Sequence, residues 1–186
     1  ITRDVTLAET SSTFIIDYSL QLKKGSDDIL SGYVKLDGPD KGGQSVELSI
    51  PELNFRKTVS TDPSGKVLVE VQVSNLKLWS PENPHLYEVL VSIPGDRVTD
   101  RIGFRRIETR GQDILLNGKP VFLRGISIHE ENPVRGGRAS SMEDAEMLLN
   151  WARELGCNFV RLAHYPHNEN MVLLADQMGI LVWEEN

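Results

Sequence analysis

Polar side chains gather at three places in the second half of the chain, each at the end of an apolar run. His129, Glu130 and Glu131 follow the first run. Arg161 and then His164-Tyr165-Pro166 close the second, and Glu184 and Glu185 follow the third. If the runs are parallel strands, these groups converge on the face formed by the strands' carboxyl ends, where parallel α/β arrays bind ligands. Imidazoles, a guanidinium and carboxylates brought together make a site with several hydrogen-bond donors and acceptors.

Each group also has a purely structural reading. His129 could cap a loop, and Glu130 and Glu131 could be solvated loop charges. Arg161 lies inside an apolar strand, so its guanidinium needs a partner, which Glu184 or Glu185 could supply. A structural ion pair and a direct ligand role compete evenly there. His164 opens a sharp His-Tyr-Pro turn that it could simply maintain. A zinc site from His129, His164 and His167 is conceivable, but their spacing matches no compact ligand motif. No local signature of a Ser/His/Asp or Cys/His nucleophile is present, and Gly136-Gly137 is too little for a phosphate loop. No cofactor or metal is therefore expected. Cys157 is the single cysteine, which excludes an intrachain disulfide, and it reads as a buried thiol.

The elements that must position these groups fall into two regimes. Residues 13–22, 33–36, 46–50, 67–73, 85–93 and 97–102 approximate period two, separated by Gly, Pro and Asp turn signals. About seven short strands without helical period point to an immunoglobulin-like β-sandwich over residues 1–106. From residue 107 the pattern changes. Residues 113–120 form a hairpin and Val121–Ile126 an apolar strand. Ser140 with Glu143 then fits a capping box before a helix that stops at Gly156. A strand at Asn158–Ala163, a helix from Asn168 to Met178 and a strand at Ile180–Trp183 complete β-α-β-α-β. That order requires a parallel sheet. The fold class is multidomain β and α/β, with residues 107–186 forming the first three strands of a TIM-type (β/α)₈ barrel. Three strands cannot close a barrel of eight, so the chain is expected to be part of a longer one and to self-associate through open barrel edges.

The net charge of −7 over 186 residues argues against nucleic acid or an anionic membrane surface as partner. No run approaches the ~20 apolar residues of a membrane span. Ile1-Thr2-Arg3-Asp4 shows no signal-peptide pattern and reads like a chain entered midway.

The run Asn158-Phe159-Val160-Arg161-Leu162-Ala163-His164-Tyr165-Pro166, followed by Asp176-Gln177-Met178-Gly179-Ile180-Leu181-Val182, resembles the signature of family 2 glycoside hydrolases. The segments at 78–87, 103–107, 116–120, 123–125 and His129-Glu130 agree in order, so the resemblance covers essentially the whole chain. It implies a carbohydrate partner and retaining hydrolysis by two carboxylates about 5–5.5 Å apart. In the family these end strands four and seven of the barrel, so this chain is expected to carry no catalytic residue and to be inactive alone. The resemblance implies that His129, Arg161 and His164 belong to the sugar-holding shell, with Glu131 at a position that contacts sugar in some members. Leu162 and Ala163 depart from the small polar residues usual between that Arg and His. The His-Tyr-Pro form and the His129–Pro133 loop lean toward β-galactosides, with β-glucuronides as the alternative. A non-catalytic sugar-binding sandwich is the rival reading. Trp79 is expected in the sandwich core and Trp151 to be packing, while Trp183 either lines the sugar site or fills the barrel.

Overall fold

The computed structural model describes residues 5–186; Ile1-Thr2-Arg3-Asp4, on which the absence of a leader pattern was read, lie outside them. The chain forms two compact units. One contains the residues up to Leu76 together with Tyr87–Ile102, and the other contains Lys77–Leu86 and Gly103–Asn186. By their internal contacts the units interleave along the sequence.

The first unit is all β. Strands β1 (Phe14–Leu22), β2 (Ile29–Asp37) and β5 (Lys66–Gln72) form one sheet in the order β1-β2-β5. The second sheet is β4-β3-β6-β7, from β3 (Ser45–Ile50), β4 (Phe55–Ser60), β6 (Tyr87–Ile93) and β7 (Asp96–Ile102). All pairings are antiparallel. Alternate residues are buried, among them Leu30, Val34 and Leu36 of the first sheet and Val46, Leu48, Val89 and Val91 of the second. That alternation is the physical content of period two. Strand β4 was not legible, because Phe55-Arg56-Lys57-Thr58-Val59-Ser60 has no fully buried face and sits at a sheet edge.

The second unit opens with a small antiparallel sheet, β8 (Ile107–Arg110), β9 (Asp113–Leu116) and β10 (Lys119–Pro120). It continues as β11 (Gly125–Ile128), α1 (Met142–Glu154), β12 (Phe159–Leu162), α2 (Glu169–Met178) and β13 (Leu181–Glu184). The last three strands pair in parallel as β11-β12-β13, the order expected for the start of a (β/α)₈ barrel. Ile128, Val160, Leu162 and Ile180 bury one side of this sheet with Leu149 and Ala152 of α1 and Met171 and Ala175 of α2.

The barrel's first strand begins four residues later than expected. Val121 and Leu123 pack against Trp79, Leu116 and Leu181 instead of entering the sheet. Gly125 then pairs with Phe159, and a Cβ on it would meet the Phe159 ring at 2.3 Å, so only glycine permits that approach. Helix α1 is capped by Ser141 and Asp144, one residue beyond the Ser140–Glu143 pair expected. Trp79 is fully buried, as expected, but in the core of this unit and not of the sandwich. Trp151, expected to pack, is 40% exposed on α1.

Candidate active site

Register across the parallel sheet explains which side chains share a face. Gly125, Phe159 and Leu181 are aligned across the three strands, and two residues on so are Ser127, Arg161 and Trp183. Strand alternation turns the Val160 and Leu162 side chains toward the helices and Arg161 to the opposite side. Arg161 thus stands one layer above Phe159, at the carboxyl end of the sheet.

Each nitrogen of its guanidinium has a partner. Nε and Nη2 donate to Glu185 Oε1 at 3.0 and 2.8 Å, and Nη1 donates to Ser127 Oγ at 3.3 Å. Of the two carboxylates that could have partnered Arg161, Glu185 does so. Hydrogen bonds from Arg161 hold the Glu185 carboxyl below its usual pKa, against a smaller opposing effect of burial. His164 Nδ1 lies 3.2 Å from both Arg161 Nη2 and Glu185 Oε2. A guanidinium can only donate and a carboxylate only accept, so either tautomer satisfies one of these contacts and not both. The His129 ring stands edge-on to His164, with centroids 5.3 Å apart. Trp183, 60% exposed, lies in the same layer as Arg161.

Glu184 and Glu130 face elsewhere. Glu184 Oε1 accepts the backbone N–H of His167 at 3.1 Å. Glu130 is fully buried: one carboxylate oxygen accepts the Asn168 backbone N–H, and the other pairs with Arg138 Nη1 at 2.7 Å. Burial overturns the solvated-charge reading of Glu130. Glu131 fits that reading better, being exposed and bridged to Arg138 through the backbone. It borders an open groove of about 500 Å³ lined also by Asn132, Gly136, Gly137, Arg138 and Tyr165.

The sequence reading missed His167 as a structural member of this cluster. It is buried and stacks on Tyr165 at 5.3 Å, and its Nε2 lies 3.0 Å from the Ala163 carbonyl oxygen. A carbonyl only accepts, so Nε2 carries the proton, and Nδ1 has no hydrogen-bond partner among the described residues. His167 therefore braces the residue just before His164. Among the described residues, no three or more His, Cys, Asp or Glu side chains are grouped to hold a metal ion.

The loop from His129 to α1 is tied down by polar contacts. Asp144, almost fully buried, accepts from Asn132 Nδ2 at 2.6 Å and pairs with Arg135. Burial pushes the Asp144 carboxyl up, but the hydrogen bonds from Asn132 and Arg135 outweigh it and the net shift is downward.

Residues 3–105 match the family described as glycosyl hydrolases family 2, and residues 107–186 match its TIM barrel domain. The chain belongs to glycosyl hydrolase family 2. Among its relatives, this family 2 chain is 30% identical to the β-galactosidase large subunit of Lactobacillus acidophilus, over 99% of its own length and 31% of that protein's. It is 35% identical to the β-glucuronidase of Streptococcus agalactiae over 61% of its length and 20% of that protein's. Among solved structures, a family 2 β-galacturonidase from Eisenbergiella tayi bound to galacturonate is 30% identical with a TM-score of 0.79, covering 96% of this chain and 33% of that one. The family 2 chain thus spans a third or less of the length of these relatives. The family carries an immunoglobulin-like sandwich and the start of a TIM barrel here, as the resemblance implied.

Proposed function

We propose that the chain is part of a retaining exo-β-glycosidase acting on β-galactosides, and that His129, Glu131, Arg161 and His164 hold the sugar. The observation that carries this reading is the cluster at the carboxyl ends of β11 and β12, where the His129 and His164 rings stand 5.3 Å apart beside Arg161. The pairing of the cations favours a neutral sugar. Arg161 is paired with Glu185 and Arg138 with Glu130, so the charge of each guanidinium is already balanced and neither presents a net positive charge to a uronate carboxylate. Likeness to a β-galactosidase along nearly the whole chain supports the same choice. A β-uronide parent is the second reading, supported by the likeness to a structure bound to galacturonate.

In neither reading do Glu130, Glu131, Glu184 or Glu185 cleave the bond. Glu130 and Glu184 are occupied as acceptors of backbone N–H groups and Glu185 holds Arg161. The acid/base and nucleophile belong to strands four and seven of the parent barrel. Within that parent, residues 1–106 would make up the sandwich domain and 107–186 the barrel domain, with residues 77–86 and 103–106 packed in the barrel's unit.

Two results are expected of the 186-residue chain. It should leave nitrophenyl β-galactoside unhydrolysed, yet bind galactose saturably in ligand-observed NMR, with binding lost in His164→Ala and weaker for glucuronate. Turnover abolished by Glu130→Gln or Glu184→Gln would overturn the assignment of catalysis to other strands. Tighter binding of glucuronate would select the uronide reading, and absence of saturable binding would remove the sugar-holding role.

Self-association is part of the same proposal, because β11 and β13 are the outer strands of their sheet and expose unpaired backbone groups. Light scattering should show mass rising with concentration; a strict monomer throughout would exclude it.

A further inference from the structure

Glu130 is the most enclosed acidic side chain among the described residues, with 1% of its surface exposed. A carboxylate so placed is stable only when partnered, and here both oxygens receive charge-assisted hydrogen bonds. Its neighbour Glu131 is exposed, so burial is a property of this position and not of an acidic loop in general.

The partners of Glu130 bracket one turn. Its backbone N–H donates to the Tyr165 hydroxyl at 3.3 Å, and its carboxylate accepts the N–H of Asn168, the N-cap of α2. Arg138, held by the other carboxylate oxygen, lies 5.2 Å from the centroid of the Tyr165 ring. The turn so gripped follows His164 directly, and the residue gripping it follows His129 directly. We propose that Glu130 is the positioning residue of the His129–His164 pair, fixing the spacing of the two rings through Asn168 and Tyr165 without touching ligand. Its importance for sugar rests on the sugar-holding reading above; its geometric role does not.

The side-chain chemistry is specific. A glutamine keeps an oxygen for Asn168 N–H, but its amide NH₂ opposes Arg138 and leaves that cation without a counter-ion. A leucine keeps bulk and loses both acceptors.

The test is NMR of the histidine rings in the 186-residue chain. The unaltered protein should show a nuclear Overhauser contact between the His129 and His164 rings. Glu130→Leu should abolish it and weaken galactose binding tenfold or more. The paired change Glu130→Gln with Arg138→Met keeps the acceptor and removes the orphan cation, so it should restore the contact and bring affinity within about threefold, 0.65 kcal/mol at most. An unchanged ring contact in Glu130→Leu overturns the proposal, and so does its equal loss in the paired variant. If Glu130→Leu does not fold, amide exchange in the unaltered chain decides: the Asn168 N–H should be protected at least a hundredfold, and exchange at the rate of an exposed amide overturns the proposal. Should the unaltered chain bind no galactose, the sugar reading fails while the ring contact still judges this one.

Discussion

Trp79→Ala is expected to destabilise the second unit by about 3–5 kcal/mol, the range for deleting a fully buried large aromatic. The indole is fully enclosed, and its Nε1 donates to the Asp176 carbonyl at 2.7 Å near the end of α2. The Arg105 guanidinium lies 4.5 Å from the ring centroid and is itself bridged to Asp176 at 2.9 Å. Gly103 leaves room for the ring, since a Cβ there would sit 2.6 Å from the indole Cδ1. The backbone of Trp79 is held as well, by Phe104 O and Asn117 Nδ2 at 2.8 and 3.0 Å. Truncation therefore leaves a cavity, a carbonyl that has lost its indole donor and a cation without its aromatic face. Against a typical domain stability of about 5–15 kcal/mol, that is enough to unfold the unit near physiological temperature. Both α-helices belong to this unit, so circular dichroism at 222 nm during thermal unfolding follows it selectively. Trp151→Ala, at a half-exposed position, should cost about 1 kcal/mol or less. Equal melting of the two variants would show that the Trp79 contacts carry no such load.

Arg161→Met should disperse the polar cluster. Glu185 loses the two N–H donors that lower its pKa and returns toward the ordinary carboxylate value, a shift readable by carboxyl-carbon NMR. His164 Nδ1 loses one of its two neighbours and can then satisfy Glu185 only as a donor. Galactose affinity is expected to fall at least tenfold, about 1.4 kcal/mol, while Glu185→Gln, which preserves an acceptor for Arg161, should lose less. The pH dependence follows from the sign of the shift. A carboxyl whose folded pKa is lowered contributes fully above its unfolded value, and that contribution is lost as the pH falls through the lowered value. The contribution of the Arg161–Glu185 pair should therefore be lost only in acid, as the pH falls below the ordinary carboxylate range. An Arg161→Met chain that bound galactose as before would remove Arg161 from the sugar-holding shell.

Much of the fold was legible because its cause is local. Alternation marked most sandwich strands, and Asn168 and Gly179 bounded α2 where the N-cap and left-handed C-cap lie. What escaped depended on distant partners. Ser140–Glu143 and Ser141–Asp144 both fit a capping box; the second wins because Asp144 also binds Asn132 and Arg135 from the preceding loop. Ser127 could not be linked to Arg161 before the parallel register aligned them. The ordered motifs identified the family and which polar residues reach the strand ends. They did not reveal that adjacent acids behave oppositely: Glu130 turns inward to the Asn168 backbone N–H, a donor with no identity in sequence, and to Arg138, while Glu131 stays exposed.

The interleaving of the two units bears on how the polypeptide is made. Trp79 leaves the ribosome before β6 and β7, which the first unit needs, and about a hundred residues before Leu181, its own neighbour in the second core. At a synthesis rate of about 5–20 residues per second, the indole waits several seconds for its cage. A gene fragment cut at residue 106 would deliver a barrel segment from which this side chain is missing. No single excision point separates the two modules, since a cut before Lys77 strips β6 and β7 from the first unit and a cut after Ile102 strips residues 77–86 from the second.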